Sequence, residues 1–86
     1  MDKLWTDEAW EEFQQIIQDR RMLKRILVLI KDIDRNGYIG IGKPEPLKWD
    51  WTGYWSRRID DDNRIVYKLE DGVIRIAQCG SHYGDK

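Results

Sequence analysis

The spacing of the apolar residues changes once along this chain. Up to residue 33 they recur at intervals of three and four, as on one face of an α-helix, whereas from Trp55 onward they follow the period of two that marks β-strands. We therefore expect an α+β fold in which two N-terminal helices pack on one face of a small antiparallel β-sheet. We expect one domain over residues 1–86, a length that suffices for a modest core.

The first helix is expected to begin after Thr6, a residue type that caps helix N-termini, with Asp7 and Glu8 in the first turn where the helix dipole favours negative charge. Before it, residues 3–5 are a candidate first strand. The helix should bury four apolar side chains on one face: Trp10, Phe13, Ile16 and Ile17.

Asp19 can cap a second helix, and Asn36-Gly37 can end it because both residues tolerate left-handed backbone geometry. Its predicted buried stripe comprises Leu23, Ile26, Leu27, Ile30 and Ile33. A different face of the same helix collects four cations: Arg20, Lys24, Lys31 and Arg35.

Three strands are predicted at residues 55–59, 63–69 and 73–79, and the short turns between them favour hairpins. If the first hairpin pairs Ile59 with Asn63, then Arg58 lies opposite Arg64, and Trp55 lies opposite Tyr67 on the reverse face. In this register Arg57 points toward the helices. Either its charged end reaches an edge of the sheet, or the register is wrong by one residue.

Residues 38–54 hold three glycines and both prolines, together with Trp49 and Trp51, and we interpret them as an ordered loop. Lys43 and Glu45 each precede a proline, which disfavours helical geometry and predicts extended backbone at both. Glu45 would then stand on a stiff segment between Lys43 and Lys48, as a catalytic carboxylate beside an anionic substrate would. The alternative is that Pro44-Glu45-Pro46 is a rigid surface connector.

The formal net charge of −1 conceals a segregation of charge along the chain. Residues 1–19 hold six anions and one cation, whereas residues 20–48 hold eight cations and three anions. Such a basic segment suits a polyphosphate partner, although a solvated helix face is the more common explanation.

Cysteine content and hydropathy narrow the class further. One cysteine, Cys79, forms no intramolecular disulfide, and with the single His82 it supplies no zinc ligand set, so we predict no metal and no cofactor. No apolar run approaches the roughly 20 residues of a membrane span, and the acidic start lacks the basic region of a signal peptide. A cytoplasmic protein with no membrane partner is expected.

The predicted pairing of Arg58 with Arg64 is unfavourable unless an anion bridges them, and a phosphate suits that role. A neighbouring aspartate such as Asp50 is the alternative counter-charge. Histidine is the only side chain whose reference pKa lies near neutrality, so Glu45 and His82 around a phosphodiester held by the two arginines would form a base, an acid and a cationic clamp. This set suits metal-free RNA cleavage by the 2′-hydroxyl, unless His82 is merely an exposed residue near the C-terminus.

Four segments resemble the YoeB (also called Txe) toxins, which are ribosome-dependent mRNA endoribonucleases of the RelE superfamily: Gly42–Lys48 (GKPEPLK), Gly53–Ile59 (GYWSRRI), Arg64–Tyr67 (RIVY) and Cys79–Tyr83 (CGSHY). The resemblance runs collinearly from Trp5 to Tyr83. It implies a microbial-RNase-like fold and a YefM-type antitoxin partner. It also implies action on mRNA bound to the 70S ribosome, a homodimer, and contact with operator DNA only through the antitoxin complex.

Carried over by position, the resemblance implies that Glu45 is the general base and Arg64 stabilises the phosphate. His82 then matches the general acid and Tyr83 the aromatic residue that orients the reacting nucleotide. RNA-binding roles fall to Lys43, Lys48, Arg58 and the basic helix.

The sequence departs from the family pattern at three places. Asn63 replaces a frequent histidine, Gly80-Ser81 replace a bulkier pair, and residues 84–86 extend the chain. Two other classes stay open: a non-enzymatic toxin of the same fold that binds a protein target, as ParE toxins bind DNA gyrase, and a plain protein-binding module.

Overall fold

The computed structural model describes residues 1–81, which form two helices and a five-stranded sheet. In chain order the elements are β1 (Asp2–Trp5), α1 (Asp7–Ile16), α2 (Arg20–Asn36), β2 (Glu45–Pro46), a 3₁₀ helix (Trp49–Trp51), β3 (Trp55–Arg58), β4 (Arg64–Glu70) and β5 (Val73–Gly80). The strand order is β1-β5-β4-β3-β2. The α+β fold and its antiparallel meander are confirmed, and β1 adds a parallel edge that makes the sheet mixed.

The predicted helix ends are confirmed by their capping contacts. The Thr6 hydroxyl accepts a hydrogen bond from the Ala9 amide at 3.0 Å, and the Asp19 carboxylate accepts one from Arg21 N at 2.9 Å. α2 ends at Gly37, whose φ of +70° suits glycine best.

The buried face of α2 is rotated from the predicted stripe. Met22, Ile26, Leu29 and Ile33 are the buried residues, while Leu27 is 53% exposed. The loop after α2 accounts for the burial of Leu29, since it passes so close that a Cβ on Gly42 would lie 2.8 Å from Leu29 Cδ2. The four predicted cations Arg20, Lys24, Lys31 and Arg35 are exposed, as expected.

The first hairpin has the predicted register, with Trp55 opposite Tyr67 and Arg58 opposite Arg64. Both interpretations of Arg57 were nevertheless wrong. Its side chain does point toward the helices, yet it reaches no edge and is fully buried. It fits there because polar groups surround its guanidinium, as described below.

The main core lies between the helices and one face of the sheet. Fully buried side chains of α1, α2, β4 and β5 meet there, among them Ala9, Ile26, Ile33, Ile65 and Ile74. Trp5, Phe13 and Trp10 pack on one another at its margin. Within residues 1–81, neither helix has the length and apolar character needed to cross a membrane.

The second face of the sheet, opposite the helices, is largely closed at its centre. Its central residues Ser56 and Val66 are fully buried. Tyr54 lies beneath the Lys68 ammonium group, which is 5.1 Å from the ring centroid, and Trp51 packs edge-on against Tyr54. Solvent therefore reaches this face chiefly at its margins.

Candidate active site

Arg57 organises the loop that leads from α2 into the site. Its guanidinium donates hydrogen bonds to the Asp32 carboxylate and the Tyr67 hydroxyl. It also donates to the backbone carbonyls of Gly37, Ile39 and Ile41 at 2.7, 3.0 and 3.1 Å. Three carbonyls of one loop thus converge on a single buried cation, which fixes the path of residues 37–41.

Asp32 supplies the negative charge of this network. The hydrogen bond from Arg57 lowers the pKa of the Asp32 carboxyl, with further help from Asn36 and the Ile41 amide against a smaller opposing effect of burial. The loop passes so close that a Cβ on Gly40 would lie 2.0 Å from Asp32 Oδ2, so only glycine fits there. Strand alternation alone showed that Arg57 would point toward the helices, an unusual position for an arginine. It did not indicate the acceptors that surround the guanidinium.

The loop then crosses to the edge of the sheet and places Glu45. The Gly42 carbonyl accepts a hydrogen bond from the Arg58 amide at 2.6 Å. Because that bond fixes the chain before the turn into β2, Lys43 has a left-handed φ of +51°, and the prediction of extended backbone at Lys43 was wrong. Glu45 is extended, as predicted, and pairs with Ser56 in β3.

Glu45 and Arg64 face each other across β3. Glu45 Oε1 lies 3.8 Å from Arg64 Nη1, and the two side chains are 56% and 21% exposed. Arg58, opposite Arg64 in the ladder, is half-buried beside them. The structure thus brings together a carboxylate and two guanidinium groups at a solvent-accessible margin of the second face.

An aspartate of the turn between β3 and β4 makes its hydrogen bonds within the turn itself. Asp60 accepts hydrogen bonds from the Asp62 and Asn63 amides and from the Asn63 side chain. Burial by itself would raise the pKa of Asp60, but these bonds together lower it. Glu45, on the edge strand β2, provides a carboxylate that faces Arg64.

Three buried polar atoms on the same face make no hydrogen bond within residues 1–81: Ser56 Oγ, Arg58 Nε and Gln78 Oε1. An unsatisfied buried polar group costs about 1–3 kcal/mol. Ser56 and Gln78 lie on either side of Val66 in the ladder and are 0% and 5% exposed, so their side chains are not open to a ligand. The sequence analysis did not identify Ser56 or Gln78 as residues of this face. Strand alternation could have done so, because it places both on the same face of the sheet as Arg58.

The remaining predicted site residues lie around this centre or beyond the described chain. Lys43 and Lys48 are exposed and flank β2. His82 and Tyr83 lie outside the described residues. The chain enters that segment from Gly80, which pairs with Arg64 in the ladder.

Cys79 takes no part in this chemistry. It is buried, and burial, together with Glu12, raises the pKa of its thiol to about 12, so the thiol stays protonated near neutral pH. Within residues 1–81, no cluster of three or more histidine, cysteine or acidic side chains could hold a metal ion.

Comparison with known proteins gives one consistent family. The model of the YoeB-like toxin of bacterial type II toxin–antitoxin systems matches residues 5–83. Toxin YoeB of Streptomyces coelicolor is 50% identical over 80 residues, which cover 92% of this chain and 95% of the relative.

Solved structures agree with the sequence relatives. A YoeB–YefM heterotetramer from Staphylococcus aureus contains a chain with a TM-score of 0.89 and 46% identity, covering 96% of this chain and 98% of that one. A YoeB dimer from the same organism gives a TM-score of 0.88 at the same identity and coverage. More distantly, the mRNA interferase toxin YafQ of Escherichia coli is 35% identical over 40 residues, 46% of this chain and 44% of YafQ.

Proposed function

Since the chain belongs to the YoeB-like toxins of bacterial type II toxin–antitoxin systems, we propose that it is a ribosome-dependent endoribonuclease that cleaves messenger RNA. The observation that carries the proposal is the exposed Glu45 carboxylate facing Arg64, with Arg58 alongside. A base next to two cations is what a phosphodiester requires when its own 2′-hydroxyl is the nucleophile.

In the proposed reaction Glu45 takes the proton from the 2′-hydroxyl, and the 2′-oxygen attacks the adjacent phosphorus. The bond from phosphorus to the 5′-oxygen breaks, and His82 donates a proton to that oxygen. The products are a 2′,3′-cyclic phosphate and a free 5′-hydroxyl. Arg64 stabilises the charge on the phosphoryl oxygens, Arg58 binds the phosphate, and Tyr83 orients the nucleotide.

Docking on the ribosome compensates for a weak attraction to free RNA. With a net charge of −1 the chain gains little from long-range steering. The exposed cations of α2 form a local basic surface that suits ribosomal RNA, and Lys43 and Lys48 lie next to the site where the message would pass.

We propose a YefM-type antitoxin as the protein partner, a homodimer of the toxin, and operator binding only through the antitoxin complex. The Staphylococcus aureus relatives support the first two. A cavity of about 360 Å³ beside α2 gives an acidic, apolar segment a place to bind, since cations and exposed aliphatic side chains line it, among them Lys24, Arg25, Val28 and Ile41.

Primer extension on messages translated in a reconstituted system tests the activity. The chain should cut messages on ribosomes efficiently and the same RNA alone only feebly, and Glu45→Gln should lower the single-turnover rate about 10²- to 10⁴-fold, the usual contribution of a general base. Glu11→Gln, a matched change at an exposed carboxylate of α1, should retain the rate.

The pH profile of the single-turnover rate should be a bell, with the acid limb lost in Glu45→Gln and the alkaline limb lost in His82→Gln. Residual activity in His82→Gln is compatible with the proposal if Tyr83→Phe then removes most of it. Equal rates on free and translated RNA, or full activity in Glu45→Gln with an unchanged profile, would contradict it. Growth arrest without any RNA cleavage would indicate instead a toxin that binds a protein target.

A further inference from the structure

Trp49 stands out among the large apolar side chains of residues 1–81. It is 88% exposed, whereas the other exposed tryptophan, Trp10, is 47% exposed and packs against Trp5 and Phe13. An indole held almost entirely in water gains nothing from the core.

The backbone at Trp49 is also unusual. Its φ of +59° is left-handed, a geometry that is a genuine outlier for a bulky residue. The surrounding turn holds it in place: the Thr52 amide and hydroxyl both donate to the Trp49 carbonyl, at 3.1 and 2.7 Å, and the Trp51 amide donates to the Lys48 carbonyl at 3.1 Å. Strain that neighbouring contacts maintain is a feature of functional sites.

The position of Trp49 relates this strain to the candidate active site. Trp49 follows Glu45 by four residues, so their Cα atoms lie within about 14 Å of each other even if the chain were fully extended. Lys43, the other left-handed non-glycine residue near the site, precedes Glu45. Two strained residues thus bracket β2, the strand that carries the proposed base.

The surroundings of Trp49 favour a nucleobase over a protein surface. Four of its neighbours in the sequence, Lys48, Asp50, Thr52 and Gly53, are exposed and not apolar, which favours a partner with polar and charged groups beside the indole. Its ring is available for stacking, and Lys48 offers a cation to the adjoining phosphate. Aromatic rings beside cations are the usual means by which proteins hold single-stranded RNA.

We propose that Trp49 is a stacking platform for one base of the substrate RNA, next to the scissile phosphate. The inference rests on the proposed function and deepens it, because it assigns a contact with the substrate to a residue outside the acid–base set. Stacking accepts any base and therefore positions the RNA without selecting its sequence.

The test combines protein variants with single abasic nucleotides around the cleavage site of a synthetic message on ribosomes. In the wild type, removal of the stacked base should lower kcat/KM about 5- to 100-fold, the range of one base–aromatic stack. Trp49→Ala should show a similar loss with the intact message and no additional loss when that base is absent. Trp49→Phe should keep most of the activity.

Trp49→Gly separates the side chain from the backbone. Glycine accepts a positive φ without strain, so this variant should melt at a higher temperature than Trp49→Ala and yet cleave equally slowly. A purely structural role would predict that activity follows the melting temperature across the three variants.

Several outcomes would overturn the inference. Wild-type kcat/KM in Trp49→Ala would do so, as would equal losses from every abasic position in Trp49→Ala and the wild type. Weaker antitoxin binding with unchanged cleavage would assign the indole to a protein interface instead. If the wild type itself fails to cleave, the proposed function is wrong, and the stacking role is rejected with it.

Discussion

Arg57 and Arg58 are adjacent in the sequence and identical in type, yet they lie in opposite environments. Arg57 points into the core and is fully buried, with hydrogen bonds to five different residues. Arg58 points to the second face, where it pairs with Arg64 and its buried Nε has no hydrogen-bond partner within residues 1–81. The protein thus supplies five acceptors to the Arg57 guanidinium and none to the Arg58 Nε within the described residues.

Arg57 and Arg58 nevertheless both hold the loop that follows α2. Arg57 holds the loop of residues 37–41, and the next contact of that loop is the bond between the Gly42 carbonyl and the Arg58 amide. Glu45 follows three residues later. Arg57 therefore positions the loop that leads to Glu45, the proposed base, whereas Arg58 and Arg64 are proposed to touch the substrate.

The largest expected effect is the loss of stability when Arg57, the buried arginine, is replaced. Arg57→Met removes the cation, leaves Asp32 without its charge partner and leaves the loop carbonyls without donors. We expect the free energy of unfolding to fall by about 3–5 kcal/mol, the usual cost of removing one member of a buried ion pair. Urea denaturation measures it, and the matched Arg58→Met variant should change by less than about 1 kcal/mol. If the free energy of unfolding falls equally in the two variants, Arg57 and Arg58 do not differ in their contribution to stability.

Arg64→Ala should show the reverse behaviour. Loss of one donor to the phosphoryl oxygens should raise the activation free energy by about 2–4 kcal/mol, measured as single-turnover kcat/KM on ribosomes. The unfolding midpoint in urea should stay close to that of the wild type. Lys3→Ala, a change at β1 on the far edge of the sheet, serves as the control. If the Arg64→Ala chain is unfolded, the pair of Arg58 and Arg64 instead contributes to the stability of the fold.

Arg58→Ala should have a smaller effect on activity than Arg64→Ala. Since Arg58 is proposed to hold a phosphate, it contributes to binding more than to the reaction step, so we expect about 1–2 kcal/mol, mostly in KM. The dependence of log kcat/KM on log salt should become shallower by about one, because the variant neutralises one phosphate fewer than the wild type. A loss confined to kcat with an unchanged salt slope would place Arg58 in the chemical step instead.

The sequence predicts those parts of the molecule that neighbouring residues decide. Capping at Thr6 and Asp19, the end of α2 at Gly37 and the pairing of Arg58 with Arg64 each depend on a few adjacent residues, and all are confirmed. Their physical causes are local hydrogen bonds and strand alternation, which a sequence displays directly.

Long-range packing decided the parts that the sequence did not predict. The acceptors of Arg57 in α2 and its loop come from residues 16–25 positions earlier, so its burial cannot be deduced from β3 alone. The same loop covers Leu29 on α2, and its bond from the Arg58 amide to the Gly42 carbonyl immediately precedes the left-handed Lys43. Arg57, Leu29 and Lys43 thus all contact or adjoin this one loop.

The smallest expected effect is the acid sensitivity of the buried network. The hydrogen bond from Arg57 lowers the pKa of Asp32 below its ordinary value of 3.8, so the folded state binds this proton less readily than the unfolded state. The corresponding stabilisation is complete well above pH 3.8 and is lost as the pH falls through the lower pKa of the folded state. Asp32→Asn should therefore have a melting temperature that depends less on pH in the acid range than that of the wild type.

Asp34→Asn is the matched control for this measurement. Its carboxyl pKa is also lowered, chiefly by the N-terminal ammonium group, but that pair lies at the surface, and about 1 M salt should suppress most of its contribution. The contribution of Asp32 should persist at the same salt concentration, because its guanidinium partner is shielded from solvent. If the melting curves of Asp32→Asn and the wild type shift in parallel with pH, the loop carbonyls alone hold Arg57, and the charge of Asp32 is not needed to keep that arginine inside.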